Sequence, residues 1–171
     1  STADAAEPSV PVKVSTATDL QSNIDAGNSV KLTKNIDINT ALNVTSTLTL
    51  DLNGCVLRMR GNTSVFYVYN NATLTIQDSS AAKSGTITGG NAGDGGGVYI
   101  GDCKASSTGG GVCLISGAGF EMTGGIIRDC TADWRPESSA INIQPGTMKA
   151  HGGKVEGNVW VVDENNGITR E

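Results

Sequence analysis

The chain has 171 residues, enough for one domain with a sizeable core, and its composition of 23 Gly with 4% aromatic and 17% charged residues excludes a helical bundle. Its net charge of −5 with scattered Lys and Arg argues against nucleic acid, and one His with four Cys that lack CxxC spacing argues against zinc. No apolar run approaches the ~20 residues that cross a bilayer, so no membrane insertion is expected.

Residues 1–15 read as a polar, Pro-punctuated N-terminal linker, and residues 16–171 as a single domain. Thr18-Asp-Leu-Gln21 fits a capping box, which predicts a short helix over Asp19–Ala26 with Leu20 and Ile24 on one face and Gly27 as its stop. Its place just before the first strand, Val30–Thr33, makes it a lid over an open end. From there the chain repeats itself. Thr47–Leu52, Thr73–Asp78, Gly119–Gly124 and Thr147–Gly152 each alternate apolar and polar residues, the mark of a half-buried strand. Their anchors Leu48, Leu74, Phe120 and Met148 recur at intervals of roughly 26–28 residues, except where an insertion lengthens the second interval.

A second strand follows each anchor, through a column of Cys55, Ile87, Ile127 and Val155, with Ser79–Ser84 adding a bulging turn in one unit. A third strand closes each unit: Val65–Tyr69, Val112–Ser116, Ala140–Gln144 and Trp160–Asp163, followed by Gly- or Asn-rich corners such as Asn70-Asn71. The third wall is expected to carry Tyr69, Ile115 and Ile143, with Tyr67 and Tyr69 facing inward. Three strands per unit describe one coil of an all-β, right-handed parallel β-helix of about four coils, because a coil leaves its strand edges unpaired until a neighbour stacks at about 4.8 Å. The insertion around 91–111 holds two similar strings, Gly95-Gly-Gly-Val-Tyr-Ile100 and Gly109-Gly-Gly-Val-Cys-Leu114, expected to pair as a flap beside the body. At the other end Ile168 reads as the first residue of a further coil. Further coils are expected to cover it in a longer surface protein, and self-association through this C-terminal coil is expected in their absence.

Leu50-Asp-Leu-Asn-Gly54, Leu74-Thr-Ile-Gln-Asp-Ser-Ser80 and Gly85-Thr-Ile-Thr-Gly-Gly90 resemble the β-helical repeats of bacterial cell-surface, adhesin-like proteins of gut bacteria, within the pectin-lyase-like superfamily. Gly95-Gly-Gly-Val-Tyr-Ile100 and Phe120-Glu-Met-Thr-Gly-Gly125 carry the same resemblance, which covers roughly residues 16–168. The resemblance implies a secreted, extracellular setting. It does not select an activity, since that superfamily hosts lyases, hydrolases, adhesins and spacers on one scaffold.

For catalysis, Asp94, Asp102, Asp129 and Asp133, with Lys104, Arg128 and Arg135 near them, would match the calcium-and-base chemistry of such lyases only if they converged on one wall. The spacing instead scatters them over loop tips, so no cofactor is predicted, calcium being the one left open. Paired carboxylates for glycoside hydrolysis are also poorly met: Asp51 and Asp78 fall at different offsets from their anchors and read as turn formers. Binding is the better reading. Trp134 in the polar loop Thr131–Ser139 and Tyr99 in the insertion are candidate contact residues, with Asp102, Asp129, Asp133 and Arg135 around them. Cys55 and Cys113 are expected inside, and a disulfide, if one forms, is expected at Cys103–Cys130 first and Cys103–Cys113 second. The expected function is thus a non-catalytic bacterial surface module for adhesion to a glycan or host protein. The alternatives are a fragment of a polysaccharide lyase or glycoside hydrolase, and a passive stalk.

Overall fold

A computed structural model describes residues 10–68, 71–92, 98–100, 112–114, 119–132, 141–143, 147–157, 159–161 and 168–170. The chain opens with strand β1 (Val12–Val14), which lies parallel to a later strand with Val12 opposite Val30 and Val14 opposite Leu32. Residues 12–14, within the segment expected to be linker through residue 15, therefore belong to a sheet. Val14 is the reason: it is 2% exposed and joins the core, while Lys13 faces out.

Helix α1 (Ala17–Asp25) follows. Its N-cap is Thr16, whose Oγ1 accepts from Asp19 N at 3.1 Å, and not Thr18; Gln21 Nε2 donates to Asp25 rather than reaching back. The expected face holds. Leu20 and Ile24 are fully buried, and Gly27 ends the helix at φ +79°.

Trios of short strands come next. The first is β2 (Val30–Leu32), β3 (Ile36–Ile38) and β4 (Leu42–Val44), which precedes the units expected from Leu48 onward; the second is β5 (Leu48–Asp51), β6 (Val56–Met59) and β7 (Phe66–Val68). The third is β8 (Thr73–Gln77) and β9 (Thr86–Thr88), then β10 (Asn91–Ala92), β11 (Val98–Ile100) and β12 (Val112–Leu114). The fourth comprises β13 (Gly119–Met122), β14 (Ile126–Arg128), the short β15 (Thr131–Ala132) and β16 (Ile141–Ile143). After β17 (Thr147–Ala150), β18 (Lys154–Val155) and β19 (Val159–Val161), the last strand is β20 (Ile168–Arg170).

The strands of each unit spread over three main sheets, with β11 and β12 both in the third. The first sheet runs β1-β2-β5-β8-β13-β17-β20, the second β3-β6-β9-β14-β18, and the third gathers β4, β7, β11, β12, β16 and β19; β10 and β15 pair beside them. Every pairing is parallel, so the described residues form mostly strands in parallel sheets, with one helix among them. The helix packs on β1, β3 and β4, the earliest strand of each of the three main sheets, and on β2. Among the described residues no helix is long and apolar enough to cross a membrane.

Register turns the alternating sequence into apolar columns. Leu48, Leu74, Phe120 and Met148 stand opposite one another as expected, beside a second column of Val30, Leu50, Ile76 and Met122. Ile168 does extend the series, opposite Met148. In the second sheet the column is Ile36, Leu57, Ile87, Ile127 and Val155, with Leu57 in the place expected of Cys55. Asn53 and Gly54 both take positive φ, which holds Cys55 in the corner, half-buried, with its N–H donating to Leu52 O.

The third sheet is shifted by one residue from expectation. Phe66 and Val68 follow the buried Leu42 and Val44, while Tyr67 stands opposite the exposed Asn43. Tyr67 therefore occupies the other face, although it is covered there, with its hydroxyl 3.0 Å from Thr63 Oγ1. Of the insertion around 91–111, β10 and β11 are described, and β11, like β12 just after it, pairs with β7; the rest of the expected flap lies outside the described residues.

Candidate functional site

The corner between the first and second sheets is where backbone, rather than side chains, makes the surface. Successive units turn there through Asn53-Gly54, the Ser79–Ser84 bulge, Gly124-Gly125 and Gly152-Gly153. Close stacking demands the glycines. A Cβ on Gly125 would lie 2.6 Å from Leu52 Cδ1, and one on Gly153 would lie 2.7 Å from Gly125 O, at φ of +87° and +79°.

Asp78 organises this corner from beneath. Its Oδ1 accepts from Gly54 N (2.9 Å), Ser80 N (3.0 Å) and Ser80 Oγ (2.7 Å), and its Oδ2 accepts from Gly85 N (2.6 Å). Burial pushes the Asp78 carboxyl up, but the hydrogen bonds from Ser80, Gly85 and Gly54 outweigh it and hold the group below the usual carboxylate range. Asp51 caps the turn one unit earlier, with Oδ1 accepting from Asn53 N at 2.9 Å and Ser79 N at 3.0 Å. Both are turn formers, as their sequence positions imply: backbone donors and Ser80 Oγ hold Asp78, while backbone donors hold Asp51 Oδ1 and Gln77 Nε2 lies 3.4 Å from Asp51 Oδ2.

Outside this frame lies an open groove of about 430 Å³, lined by Lys83, Thr123, Gly124, Gly125, Ile126, Gly153 and Lys154. It crosses three successive units. The bulge supplies Lys83, the fourth trio supplies the glycine floor and half-buried Ile126, and the next corner supplies Lys154. The lining is mostly apolar, with two exposed ammonium groups at its rim. Lys83 Nζ donates to Asp78 O at 2.7 Å, and Lys154 Nζ pairs with Glu156 Oε1 at 2.8 Å. Lys154, acting chiefly through its hydrogen bond, holds the Glu156 carboxyl below its ordinary value. A flat floor of Cα and Ile126 carbons between cations suits the apolar face of a ring that carries negative charge at its edge.

The residues singled out from sequence are placed elsewhere. Trp134, Asp102, Asp133, Arg135 and Cys103 lie outside the described residues, as do Tyr69 and Ile115. Tyr99 lies in β11, where its backbone stands opposite Tyr67 on one strand and Asn142 on another. Asp129 is exposed, takes φ +52°, and lies 3.6 Å from Arg128 Nε. The corresponding corner positions in adjacent units are Gly89 and Gly157, at φ +82° and +127°, so Asp129 fills a left-handed corner. Cys130 is a free thiol, whose Sγ donates to Arg128 O at 3.5 Å. Burial pushes that thiol up to about 11, offset only in part by hydrogen bonds from Gly90 and Gly89. Burial, then Asp78 and Asp51, raises the Cys55 thiol as well. No group of three or more His, Cys, Asp or Glu able to hold a metal occurs among the described residues.

Lys83, Ile126 and Lys154 were not legible as a site in the sequence. The signal present there was the Gly-Gly pairs at 124–125 and 152–153, each followed at once by a second-sheet strand. Comparison with known proteins finds no matching family model, no matching curated protein and no matching solved structure.

Proposed function

We propose that the chain is a right-handed parallel β-helix, and that its three main sheets are the walls of stacked coils in an extracellular bacterial surface protein of the pectin-lyase-like kind. The rotation of successive units through the three main sheets supports this reading, as does the helix lying on the earliest strand of each. Within that class we take the module to be a non-catalytic binder that serves adhesion, with an anionic carbohydrate as its ligand.

The groove at Lys83, Gly124–Ile126 and Lys154 is the single observation that carries the binding role. It runs across successive corners stacked about 4.8 Å apart, so a linear glycan can lie along it with roughly one sugar residue per unit, and its rim cations face uronate or sulfate groups. The two buried carboxylates, Asp51 and Asp78, are committed to turns rather than held as an acid and a base.

Calorimetric titration with oligogalacturonate, a sulfated oligosaccharide and a neutral glucan of equal length tests the reading. Binding of an acidic member, weakened about tenfold or more by Lys83→Ala with Lys154→Ala, is the expected result. Equal binding of the neutral glucan, or no loss in the double variant, would defeat it. Release of unsaturated or reducing ends from any of the three would establish an enzyme instead.

A further inference from the structure

The outer face of the second sheet carries a row of side chains that does not line the groove. Register aligns Asp37, Arg58, Thr88 and Arg128 on four successive strands, β3, β6, β9 and β14. Each directly follows a residue of the buried column Ile36, Leu57, Ile87 and Ile127, so the row stands on the opposite face. In a chain of net charge −5, one arginine thus lies a rung to either side of Thr88, their Cα positions about 10 Å apart.

Thr88 distinguishes this row from an ordinary charged surface. It is 8% exposed, and its hydroxyl has no hydrogen-bond partner among the described residues; Thr86 in the same strand, by contrast, donates from Oγ1 to Ser84 O at 2.8 Å. Buried hydroxyls are ordinarily paired, so an unpaired one between two cations points to an acceptor supplied by a ligand. The Arg58 stem leans towards that rung, since a Cβ on Gly89 would lie 3.3 Å from Arg58 Cγ. The carboxylates nearby are engaged elsewhere or too far to bind tightly. Asp37, beside Arg58, accepts from Arg60 Nε at 3.1 Å, and Glu156 pairs with Lys154 at 2.8 Å. Asp129 Oδ2 lies 3.6 Å from Arg128 Nε, beyond hydrogen-bond length.

We infer that Arg58, Thr88 and Arg128 form a subsite for a tetrahedral oxyanion, the group that a sulfate ester brings on a glycan. Each guanidinium offers two parallel N–H donors and the hydroxyl adds another, which exceeds the roughly four lone-pair sites of a carboxylate and suits the three free oxygens of a sulfate ester. Ile126 and Arg128 share the outer face two residues apart, so the subsite runs beside the groove at about 7 Å. A glycan lying along Lys83, Ile126 and Lys154 thereby presents one edge to the lysines and the other to the arginine row. That a glycan carries the oxyanion rests on the groove reading; the subsite itself does not.

Inorganic sulfate, with acetate as the carboxylate control at the same ionic strength, is titrated into isotope-labelled protein while NMR follows the arginine Nε–H resonances. Saturable shifts at both Arg58 and Arg128 with sulfate, and much smaller ones with acetate, are expected. Thr88→Val, which keeps the shape and removes the hydroxyl, should weaken sulfate about tenfold, and Arg58→Gln should abolish the shift at Arg128. Acetate equal to sulfate, shifts that do not saturate, or an Arg128 shift that survives Arg58→Gln would overturn the inference. Calorimetry then separates it from the groove: Arg58→Gln should cost the sulfated oligosaccharide about tenfold and oligogalacturonate less than about threefold. If inorganic sulfate binds as expected and the sulfated oligosaccharide does not bind at all, the subsite stands and the glycan reading falls. If Lys83→Ala with Lys154→Ala weakens the sulfated oligosaccharide and Arg58→Gln does not, the groove stands and the subsite falls.

Discussion

Replacing Asp78 with Asn removes one charge and one acceptor from the corner and changes little else. In the wild type four donors converge on its two oxygens, and the residue is 5% exposed, so solvent cannot replace a lost partner. The least costly placement keeps the amide oxygen at the three donors from Gly54 and Ser80 and turns the NH2 toward Gly85. That opposes two donors where the wild type has a 2.6 Å bond, and strands the Gly85 N–H at about 1–3 kcal/mol. The three surviving bonds lose their charge assistance, a further 1 kcal/mol or so in total, since a hydrogen bond to a charged group is worth more than a neutral one. A loss of about 3 kcal/mol at pH 7 is expected, or roughly 6–12 °C in Tm for a domain of this size.

Asp78 also sets a pH dependence. Its folded carboxyl titrates below its unfolded value near 4, so its stabilisation is complete above that value and is lost as pH falls through the folded pKa. Urea unfolding followed by circular dichroism, at intervals from pH 7 down to pH 2.5, measures both effects in one series. The gap between wild type and Asp78→Asn should be widest at pH 7 and should narrow below pH 4. A difference under 1 kcal/mol at pH 7, or a gap that does not change with pH, would refute the assignment of Asp78 as the charged keystone of the corner.

Other substitutions probe separate features. Asp129→Gly should stabilise the protein by about 0.5 kcal/mol, because φ +52° strains an L-residue and its exposed pairing with Arg128 is worth little; a loss above 1 kcal/mol would return Asp129 to a binding or structural role. Thr16→Ala should cost about 1 kcal/mol by stranding the Asp19 N–H, whereas Thr18→Ala should leave thermal unfolding unchanged. With its thiol pushed up to about 11, Cys130 should be alkylated by iodoacetamide at pH 8 roughly a hundredfold more slowly in the folded than in the unfolded protein, as timed by mass spectrometry. Comparable rates would show that burial does not govern it.

Much of this arrangement is written locally. The period-two alternation around Leu48, Leu74 and Phe120 puts apolar residues on one face whatever the strands pair with, and the recurrence of that pattern places the strands side by side in register. The buried face of the helix, the turn-forming role of Asp51 and Asp78, and the continuation of the first sheet at Ile168 follow from equally local chemistry. Phase, by contrast, was settled by neighbours. Val65–Tyr69 is apolar or aromatic throughout, so alternation alone allows either face inward, and only the pairing of Leu42 with Phe66 chooses. Cys55 yielded its column to Leu57 because Asp78, which is distant in sequence, fixes Gly54 N and holds the corner open through Cys55. The groove has the same origin. Lys83, Gly125 and Lys154 lie far apart along the chain and share no motif, and they meet because parallel stacking brings successive corners within a few ångströms of one another. A period in the sequence specifies which face of each strand is buried; what stands beside it on the outside is set by the register of the neighbouring strand.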